Sequence, residues 1–412
     1  MNANSKRIRE DLEYLSTCTD GSGRGITRLA FSPAENRARA YLKDQMLQAG
    51  LAVHTDAAGN VIGRLNGRSP GLPCIMVGSH IDSIREGGNF DGMAGVIAGL
   101  EAARIFRDSG VTPLRSIEIV GFTGEENARF YPGQFGSRAI AGTVKQDELH
   151  SVRDAEGVLL ADAMRACGFD PAAIGTAAYR PEQLYLYLEL HIEQCSVLER
   201  CGADVGVVTC ISGATHHRLV IRGTEDHAGG TPMDLRSDAA CAAAEYLLEA
   251  ERLAKEIGHD TVATVGSLTL EPNIPNVIPG KVTINADIRS TEYAYCTEVM
   301  EGLERKLDEI CLRRSCTYQA SREYNSAPVP VREDLQQVIA NCADRLGISN
   351  RRIYSGAGHD SIRIAELCPI AMIFVPSHKG LSHCPEEWTD YEQIATGTDV
   401  LYESLRHFAE QN

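Results

Sequence analysis

Residues of the kinds that bind metal ions occur in short blocks scattered over most of this chain, and its fold has to account for them. The ligand-type side chains in these blocks are His80, Asp91, Glu126, His191 and His383, with Glu125 next to Glu126. Three imidazoles and two carboxylates are sufficient for two zinc-like ions if one carboxylate bridges them. The sequence therefore predicts a fold that brings these blocks together, and a two-metal hydrolase in which Glu125 is the general base.

Composition limits the partners and the compartment that the chain can have. Its 412 residues are 43% hydrophobic and 23% charged, as in a globular protein with room for two domains. A formal charge of -16 argues against nucleic acid or an anionic membrane as the main partner. No stretch approaches the ~20 apolar residues of a membrane span. Thirteen scattered cysteines without a CxxC pair indicate reduced thiols, so we expect a soluble, cytoplasmic protein.

The first half of the chain alternates between helical and strand patterns. The patterns predict helices over 36–50 and 92–106 and strands over 74–77, 116–122 and 185–190. This alternation is typical of an α/β domain with a largely parallel sheet. His80, Glu125, Glu126 and His191 follow the predicted strands closely, so they could meet at the carboxyl ends of those strands, where α/β proteins place their sites.

A different order of elements follows between residues 212 and 326. The patterns predict strands over 217–222, 261–270, 281–288 and 317–323, with helices over 235–257 and 292–312. The order β-α-β-β-α-β is typical of a ferredoxin-like α+β domain. Because His383 comes after it, we interpret 212–326 as a domain inserted into a catalytic domain formed by 1–211 and 327–412.

Each block has an alternative interpretation when it is taken alone. Asp82 could accept the second N–H of a ligand histidine at His80, although most such pairs are ordinary surface residues. Asp91 could be the N-cap of a helix that starts in a glycine turn. Glu125 and Glu126 could lie at the start of a helix, where negative charges interact favourably with the helix dipole. Alternatively, one of them could bind metal while the other accepts a proton from water. The joint occurrence of all the blocks favours the metal site.

The same blocks resemble one protein family along almost the whole chain, from about residue 25 to near the carboxyl terminus. The matching stretches are GSHIDSIREGGNFDG (78–92), FTGEENARF (122–130), GSRAIAG (136–142), LELHIEQCSVLE (188–199), DHAGGTPMDLRSDA (226–239), NVIPGKVTINADIR (276–289), SGAGHDS (355–361) and IFVPSHKGLSHCPEE (373–387). The chain is identified by them as a member of the hydantoinase/carbamoylase branch of the metal-dependent aminoacylase/carboxypeptidase superfamily.

The resemblance implies a site with two divalent metal ions, which could be zinc, manganese, cobalt or nickel. Its implied ligands are His80, Asp91 and His191 for one ion, and Asp91, Glu126 and His383 for the other. Asp91 would bridge the two ions and Glu125 would be the general base. Members of this branch cleave a ureido or carbamoyl C–N bond and are usually homodimers joined through the inserted domain.

The resemblance also implies that five further residues bind a small-molecule substrate. The matching positions are Gln194, His227, Asn276, Arg289 and His359. His227 and Asn276 lie in the insertion, so 212–326 is predicted to be a lid and dimerisation domain whose closure completes the site. His227 could stabilise an oxyanion. Arg289 suits a carboxylate, although a surface ion pair is the alternative for it.

The identity of the substrate stays open in the sequence. Cys195, Asn127 and Gly230 depart from the residues usual in the branch, and none of them removes a ligand. We expect hydrolysis of N-carbamoyl-L-amino acids, which the GSRAIAG stretch favours. The alternatives are an allantoate amidohydrolase, an aminoacylase or dipeptidase, and a metal-binding protein without catalysis. The NVIPG and SGAGHD blocks disfavour the aminoacylase, and Glu125 beside Glu126 disfavours the non-catalytic protein.

Overall fold

Two compact units make up the computed structural model, which describes residues 2–411 apart from the side chains of residues 323–325. The first unit consists of the chain up to Thr209, Val331–Ile353 and the chain from His359 onward. The second unit consists of Cys210–Pro330 and Tyr354–Gly358. The second unit contains the whole predicted insertion, whose roles as lid and dimerisation domain stay predictions.

The first unit follows the predicted alternation of helices and strands. Its helices are α1 (Ser5–Ser16), α2 (Pro33–Gln48), α3 (Met93–Ser109), α4 (Phe135–Ile140), α5 (Gln146–Leu149), α6 (Leu160–Ala166), α7 (Val197–Cys201), α10 (Glu333–Leu346), α11 (Ser361–Ile364) and α12 (Tyr391–Ala409). The strands that begin in it are β1 (Ala52–Thr55), β2 (Val61–Leu65), β3 (Cys74–His80), β4 (Ile117–Phe122), β5 (Leu184–Ile192), β6 (Val205–Ile211), β14 (Asn350–Ser355) and β15 (Ile370–Val375). Short 3-10 helices occur at Pro171–Ala177, Pro181–Gln183 and His378–Gly380.

The second unit combines four strands of ten residues, which pair antiparallel, with three very short strands and two long helices. Its strands are β7 (Gly213–Arg222), β8 (Asp226–His227), β9 (Val262–Glu271), β10 (Val277–Ile278), β11 (Lys281–Ser290), β12 (Thr317–Ser326) and β13 (Val329–Pro330). Its helices are α8 (Ala239–Ile257) and α9 (Tyr293–Arg313), with a 3-10 turn at Met233–Leu235. Within residues 2–411, no helix combines the length and the apolar character needed to cross a membrane.

A sheet in the order β1-β2-β4-β3-β5-β15-β6 forms the centre of the first unit. The four strands β4, β3, β5 and β15 are parallel to their neighbours within that group, whereas the outer pairs are antiparallel. Every residue of β3, β4 and β15 is buried, as expected for runs of Ile, Val and Met in strands covered on both faces. The predicted α/β class is confirmed, with the parallel pairing confined to the middle of the sheet.

Three neighbouring parallel strands place the predicted ligands at one edge of this sheet. β3 ends at His80, which pairs with Phe122 at the end of β4, and β5 continues through His191, which pairs with Phe374 of β15. Both histidines are therefore the last or nearly last residues of their strands, and not the loop residues that the shorter predicted strands implied. Glu125 follows β4 after a short turn. The carboxyl ends of parallel strands meet at one edge, so these residues come together.

The second unit has the predicted β-α-β-β-α-β order. Its sheet runs β12-β7-β11-β9 with antiparallel pairs throughout, and α8 and α9 pack together around buried side chains such as Tyr246 and Leu303. The helix predicted from residue 235 begins instead at Ala239. The Asp238 carboxylate accepts hydrogen bonds from backbone amides of the first turn and so sets the start of the helix.

We expect Gly95→Ala to destabilise the first unit. Gly95 lies where α3 crosses β5, and a Cβ atom there would be 2.1 Å from the backbone oxygen of Leu190. A backbone atom cannot move aside as a flexible side chain can, so the free energy of unfolding should fall by about 1–3 kcal/mol. Thermal or denaturant unfolding of the two proteins measures the difference.

Gly99→Ala is the matched control on the same helix. A Cβ atom at Gly99 would make ordinary contacts of 3.4–3.6 Å with Ile119 and Val77. Alanine is favoured over glycine inside a helix by up to ~1 kcal/mol, so this variant should be as stable as the parent or slightly more stable. Equal stability of the Gly95 and Gly99 variants would contradict the close crossing of α3 and β5.

Candidate metal centre

The carboxylate of Asp91 lies between three imidazoles that come from distant parts of the first unit. Its Oδ1 atom is 3.2 Å from Nε2 of His191 and 3.4 Å from Nε2 of His80. Its Oδ2 atom is 3.1 Å from Nε2 of His383, in the loop that follows β15. One oxygen thus faces two histidines and the other faces the third, an arrangement that suits a carboxylate shared by two ions.

Two overlapping groups of side chains in this region can each hold a metal ion. The groups are His80, Asp91 and His191, all buried, and Asp91, Glu126 and His383, which is more exposed. The ligand atoms in each group lie within 4.8 Å of one another, and Oε1 of Glu126 is 3.3 Å from Nε2 of His383. Mixed nitrogen and oxygen donors suit several transition metals, so the residues present fit metal binding.

A third group of ligand-type residues lies beside the first. It contains Glu189, His191 and His359. Both oxygens of Glu189 already accept hydrogen bonds, one from the Ser79 hydroxyl at 2.7 Å and the other from the Ser361 hydroxyl at 2.6 Å. Since His191 directs Nε2 toward Asp91, we interpret Glu189 as a buried support for the strand ends.

The turn that carries Asp91 is held by residues on both of its sides. Gly92 has a φ of +66°, and a Cβ atom there would lie 2.4 Å from the ring of His80. One oxygen of Glu387 accepts the backbone N–H groups of Phe90 and Asp91 at 2.9 and 3.1 Å. The N-cap of α3 is Gly92, with no side-chain hydrogen bond. The alternative that made Asp91 a helix N-cap is therefore wrong, and its carboxylate is directed at the histidines.

Asp82 has a different contact from the one predicted for it. Nδ1 of His80 is 3.1 Å from the backbone oxygen of Asp82 and 3.7 Å from its carboxylate. The carboxylate instead accepts the backbone N–H groups of Glu125 and Glu126, at 2.9 and 3.1 Å. The spacing of two residues brought Asp82 near His80, but the side chain turns toward the next strand end. Asp82 therefore holds the two glutamates in place, while its main chain contacts the histidine.

The carboxyl group of Glu125 is buried close to several other carboxyl groups. Desolvation raises its pKa well above the usual range, and the neighbouring charges of Glu126 and Asp360 raise it further against the opposing effect of His80. A carboxyl group that attracts a proton in this way is suited to act as a general base and then as an acid. Bound cations would lower the same pKa toward the neutral range.

Two of the predicted substrate residues lie in the first unit beside these ligands. Gln194, at a φ of +54°, donates from Nε2 to Oδ2 of Asp91 at 2.9 Å and to the Ser382 hydroxyl at 3.3 Å. Its Oε1 atom is buried and has no hydrogen-bond partner within the described residues. The buried ring of His359 contacts the ring of His191 edge-on, with centroids 4.5 Å apart. Both side chains thus border the ligand group.

The other three predicted substrate residues belong to the second unit. β8 and β10 pair His227 with Val277, and the neighbouring Asn276 carbonyl accepts a backbone N–H at 3.0 Å, so His227 and Asn276 lie close together. Arg289 makes a two-point ion pair with Asp287, with two N–O distances of 2.9 Å. The ion-pair alternative for Arg289 is therefore present in the structure, and the substrate roles of all three stay predictions.

The three departures from the family pattern have simple structural settings. The side-chain oxygen of Asn127 accepts the Gly133 N–H at 2.6 Å, which closes the loop after the glutamates. Gly230 donates its N–H to Nδ1 of His227 at 2.9 Å, and a Cβ atom there would make an ordinary contact of 3.4 Å. Cys195 is exposed. None of these positions disturbs a predicted ligand.

Ser382 and Glu387 contact the site but were absent from the predicted set. The Ser382 hydroxyl donates to Glu387 at 2.7 Å and lies 3.3 Å from Oδ2 of Asp91. Both flank His383 in the block SHCPEE, so their proximity to a predicted ligand was the available signal. Their direction toward Asp91 depends on the path of the loop, which residue spacing does not reveal.

Comparisons with known proteins agree on one family. The model of the peptidase family M20/M25/M40 matches residues 76–407. The N-carbamoyl-L-amino acid amidohydrolase of Geobacillus stearothermophilus is 42% identical over 405 residues, 98% of each chain. The allantoate amidohydrolase of Escherichia coli (strain K12) is 35% identical over 405 residues, again 98% of each chain. A crystal structure of an amidase of the hydantoinase/carbamoylase family from Burkholderia multivorans superposes with a TM-score of 0.93 at 31% identity, covering 100% and 99% of the chains.

We expect metal binding to release protons and to weaken as the pH falls. Hydrogen bonds with Asp91 and Glu126 raise the pKa of His383 to about 11 when no cation is present. This imidazole is then protonated at neutral pH and must lose its proton before it can bind a metal. Affinity should fall by about tenfold per pH unit for each proton displaced, measured by calorimetry of chelator-treated protein between pH 8 and 6.

His383→Gln is the informative variant, because it removes that proton but leaves Asp91 and Glu126 in place. Proton release per metal bound, followed with a pH indicator in weak buffer, should decrease in the variant. Metal uptake without proton release in the unchanged protein would contradict the interpretation of this histidine as a ligand.

Proposed function

Because the chain belongs to the peptidase family M20/M25/M40 and, within it, to the hydantoinase/carbamoylase amidohydrolases, we propose that it hydrolyses N-carbamoyl-L-amino acids. Water would cleave the bond between the ureido carbon and the amino acid nitrogen. The free amino acid leaves, and the carbamate that remains breaks down to ammonia and carbon dioxide. The identity to the G. stearothermophilus amidohydrolase over nearly all of both chains supports this substrate class.

One observation carries the proposal. A single carboxylate, that of Asp91, faces the Nε2 atoms of three histidines, and Glu125 lies beside Glu126 at the same sheet edge. A non-catalytic metal site has no need of a second, proton-accepting glutamate next to a ligand. The combination supports hydrolysis and disfavours a protein that only binds metal.

Two divalent ions, zinc, manganese, cobalt or nickel, would be held by the residues that surround this carboxylate. The proposed ligands are His80, Asp91 and His191 for one ion, and Asp91, Glu126 and His383 for the other. When bound, such ions polarise a carbonyl group and lower the pKa of water. Glu387, which accepts the backbone N–H of Asp91, keeps the turn of the bridging carboxylate in place.

Glu125 would move the proton that the reaction requires. Its carboxylate accepts a proton from the attacking water and then passes it to the nitrogen of the leaving amino acid. Asp82 fixes the backbone of Glu125 and Glu126, so the base keeps its position relative to the adjacent ligand. The buried Oε1 atom of Gln194 would accept an N–H of the ureido group, a partner that it otherwise lacks within the described residues.

Residues of the second unit would complete the recognition of substrate. We propose that His227 stabilises the oxyanion, that Asn276 binds beside it and that Arg289 binds the carboxylate. The pairing of β8 with β10 keeps His227 and Asn276 adjacent, which supports a shared role. Closure of this unit as a lid would bring the three side chains to the substrate.

Allantoate is the second candidate substrate. It carries ureido groups and a carboxylate, so it would use the same residues. The 35% identity to the E. coli allantoate amidohydrolase supports this candidate, although the identity to the N-carbamoyl-L-amino acid amidohydrolase is higher.

We also propose that the protein is a homodimer joined through the second unit. β9 is at one edge of the four-stranded sheet, where unpaired backbone groups can pair with another strand. Val262 and Leu268 on β9 and Leu248 on α8 are 48%, 42% and 67% exposed. Exposed apolar side chains beside an unpaired strand edge are typical of an interface between two copies.

Leu268→Lys should therefore weaken the dimer. The charge would have to be buried against the second copy, so the dissociation constant should rise by about tenfold or more, measured by analytical ultracentrifugation. Leu346→Lys is the control, because Leu346 is equally exposed at 42% but lies in the first unit. A monomeric parent protein, or equal effects of the two substitutions, would contradict an interface through β9.

The substrate class is tested by turnover of the metal-loaded protein. We expect ammonia release from N-carbamoyl-L-amino acids, with allantoate and N-acetyl-L-amino acids as comparisons and with free amine measured for the acetyl compounds. Turnover of allantoate alone would select the second candidate. Activity on acetyl amides alone would move the protein to the aminoacylases and refute the proposed ureido substrate.

Glu125→Gln tests the general base. We expect turnover to fall by about 10²- to 10⁴-fold, because the amide cannot accept the proton, while the metal content stays unchanged. Glu182→Gln, at an exposed position in a 3-10 helix, is the matched control and should keep full activity. Unchanged turnover in the Glu125 variant would refute the assigned role, and loss of metal together with activity would make Glu125 a ligand.

A further inference from the structure

A cavity of about 600 Å³ opens on the sheet of the second unit. His216 and Arg218 of its lining alternate along β7 with Leu219 and Ile221, which point into the core beneath α8 and α9. The cavity therefore lies on the opposite face, which those helices leave uncovered. Its lining includes His216, Arg218 and Arg289, and Asp287 is its one carboxylate among the described residues. The lining is cationic, although the chain as a whole carries a formal charge of -16.

Strand register brings three of these side chains into one cluster. β7 and β11 pair His216 directly with Asp287, and Nε2 of His216 is 3.1 Å from Oδ2 of Asp287. Arg289, two residues further along β11 and so on the same face, contacts both oxygens of Asp287. A third contact, from Nη1 of Arg289 to the Gly356 oxygen at 2.8 Å, orients the guanidinium.

The charge of Asp287 is stabilised from both sides. Burial alone would raise its pKa, but the hydrogen bonds with His216 and Arg289 outweigh burial and hold the pKa well below its usual range. The carboxylate therefore stays ionised and keeps attracting the guanidinium. His216 takes one of the hydrogen-bond positions on Oδ2 of Asp287. It therefore limits the orientations in which Arg289 can pair with the same carboxylate.

We propose that His216 is a positioning residue for carboxylate recognition, which holds Asp287 and through it aims Arg289 into this cavity. The inference rests on the proposed function, in which Arg289 binds the carboxylate of the substrate. It assigns the carboxylate end of the substrate to the cavity of the second unit, and it assigns a role to a residue outside the predicted site. A carboxylate is the ligand class that a planar, fixed guanidinium recognises best.

The test compares two variants on two substrates, using metal-loaded protein. His216→Phe keeps a ring but loses the hydrogen bond to Asp287, whereas His216→Gln places an amide donor near the position of Nε2. The substrates are the best N-carbamoyl-L-amino acid and the same compound with its carboxylate replaced by a carboxamide. For the carboxylate, His216→Phe should raise KM by about 3- to 10-fold with little change in kcat.

The carboxamide substrate and the His216→Gln variant show whether His216 acts by positioning Arg289 or only by stabilising the second unit. KM for the carboxamide should stay within about twofold in His216→Phe, and His216→Gln should restore most of the affinity for the carboxylate. His259→Phe is the matched control, because this histidine stacks on Tyr295 in the same unit and does not line the cavity. Metal content and thermal stability are measured for each variant.

The outcomes distinguish this inference from the proposed function. An unchanged KM in His216→Phe, an equal rise for both substrates, or a loss of kcat that His216→Gln does not restore would overturn the positioning role. A parent protein that turns over no ureido compound would overturn the proposed function itself. If allantoate is the substrate found, the same comparison is made with allantoate and its carboxamide.

Discussion

The shared carboxylate of Asp91 is the constraint on which the first unit depends. A buried carboxylate is costly unless charged or hydrogen-bonding partners surround it, and here the partners come from the end of β3, the end of β5 and the loop after β15. These strands can deliver them together because β3, β5 and β15 are neighbours and parallel. The residues around Asp91 are far apart in the sequence, but the strands that carry them are neighbours in the sheet.

A second layer of contacts keeps the candidate metal ligands in place. Asp82 holds the backbone of Glu125 and Glu126, Glu387 holds the turn of Asp91, and the hydroxyls of two serines hold Glu189 behind the strand ends. Each of these carboxylates accepts more than one hydrogen bond or bridges separate segments. Such supports leave little freedom to the side chains that would meet the substrate.

Sequence patterns were sufficient for the class of the fold and for the set of candidate ligands, because both depend on periodicity and on residue type. The β-α-β-β-α-β order of the second unit and the carboxyl-edge location of His80 and His191 followed from those patterns. The directions in which the side chains point could not be predicted from those patterns. Asp82 and Glu387 act on backbone amides of other segments, and the start of α8 depends on a cap at Asp238, features that become visible only once the segments have been placed in space.

Asp287 and Arg289 illustrate the same limit in the second unit. The sequence offered an ion pair and a substrate contact as alternatives for Arg289, as if one excluded the other. The structure contains the ion pair, and a guanidinium held by a neighbouring carboxylate is also better oriented for a second anion. The two interpretations are therefore compatible, with His216 as the residue that links them.

The position of β15 has a consequence for the order in which the two units can fold. β15 pairs with β5 on one side and with β6 on the other, although most of the second unit lies between β6 and β15 in the chain. The sheet of the first unit therefore depends on contacts between segments far apart in sequence, which cost more chain entropy and form slowly. The second unit is formed mainly by one continuous stretch, Cys210–Pro330, so it can fold before the sheet of the first unit is complete.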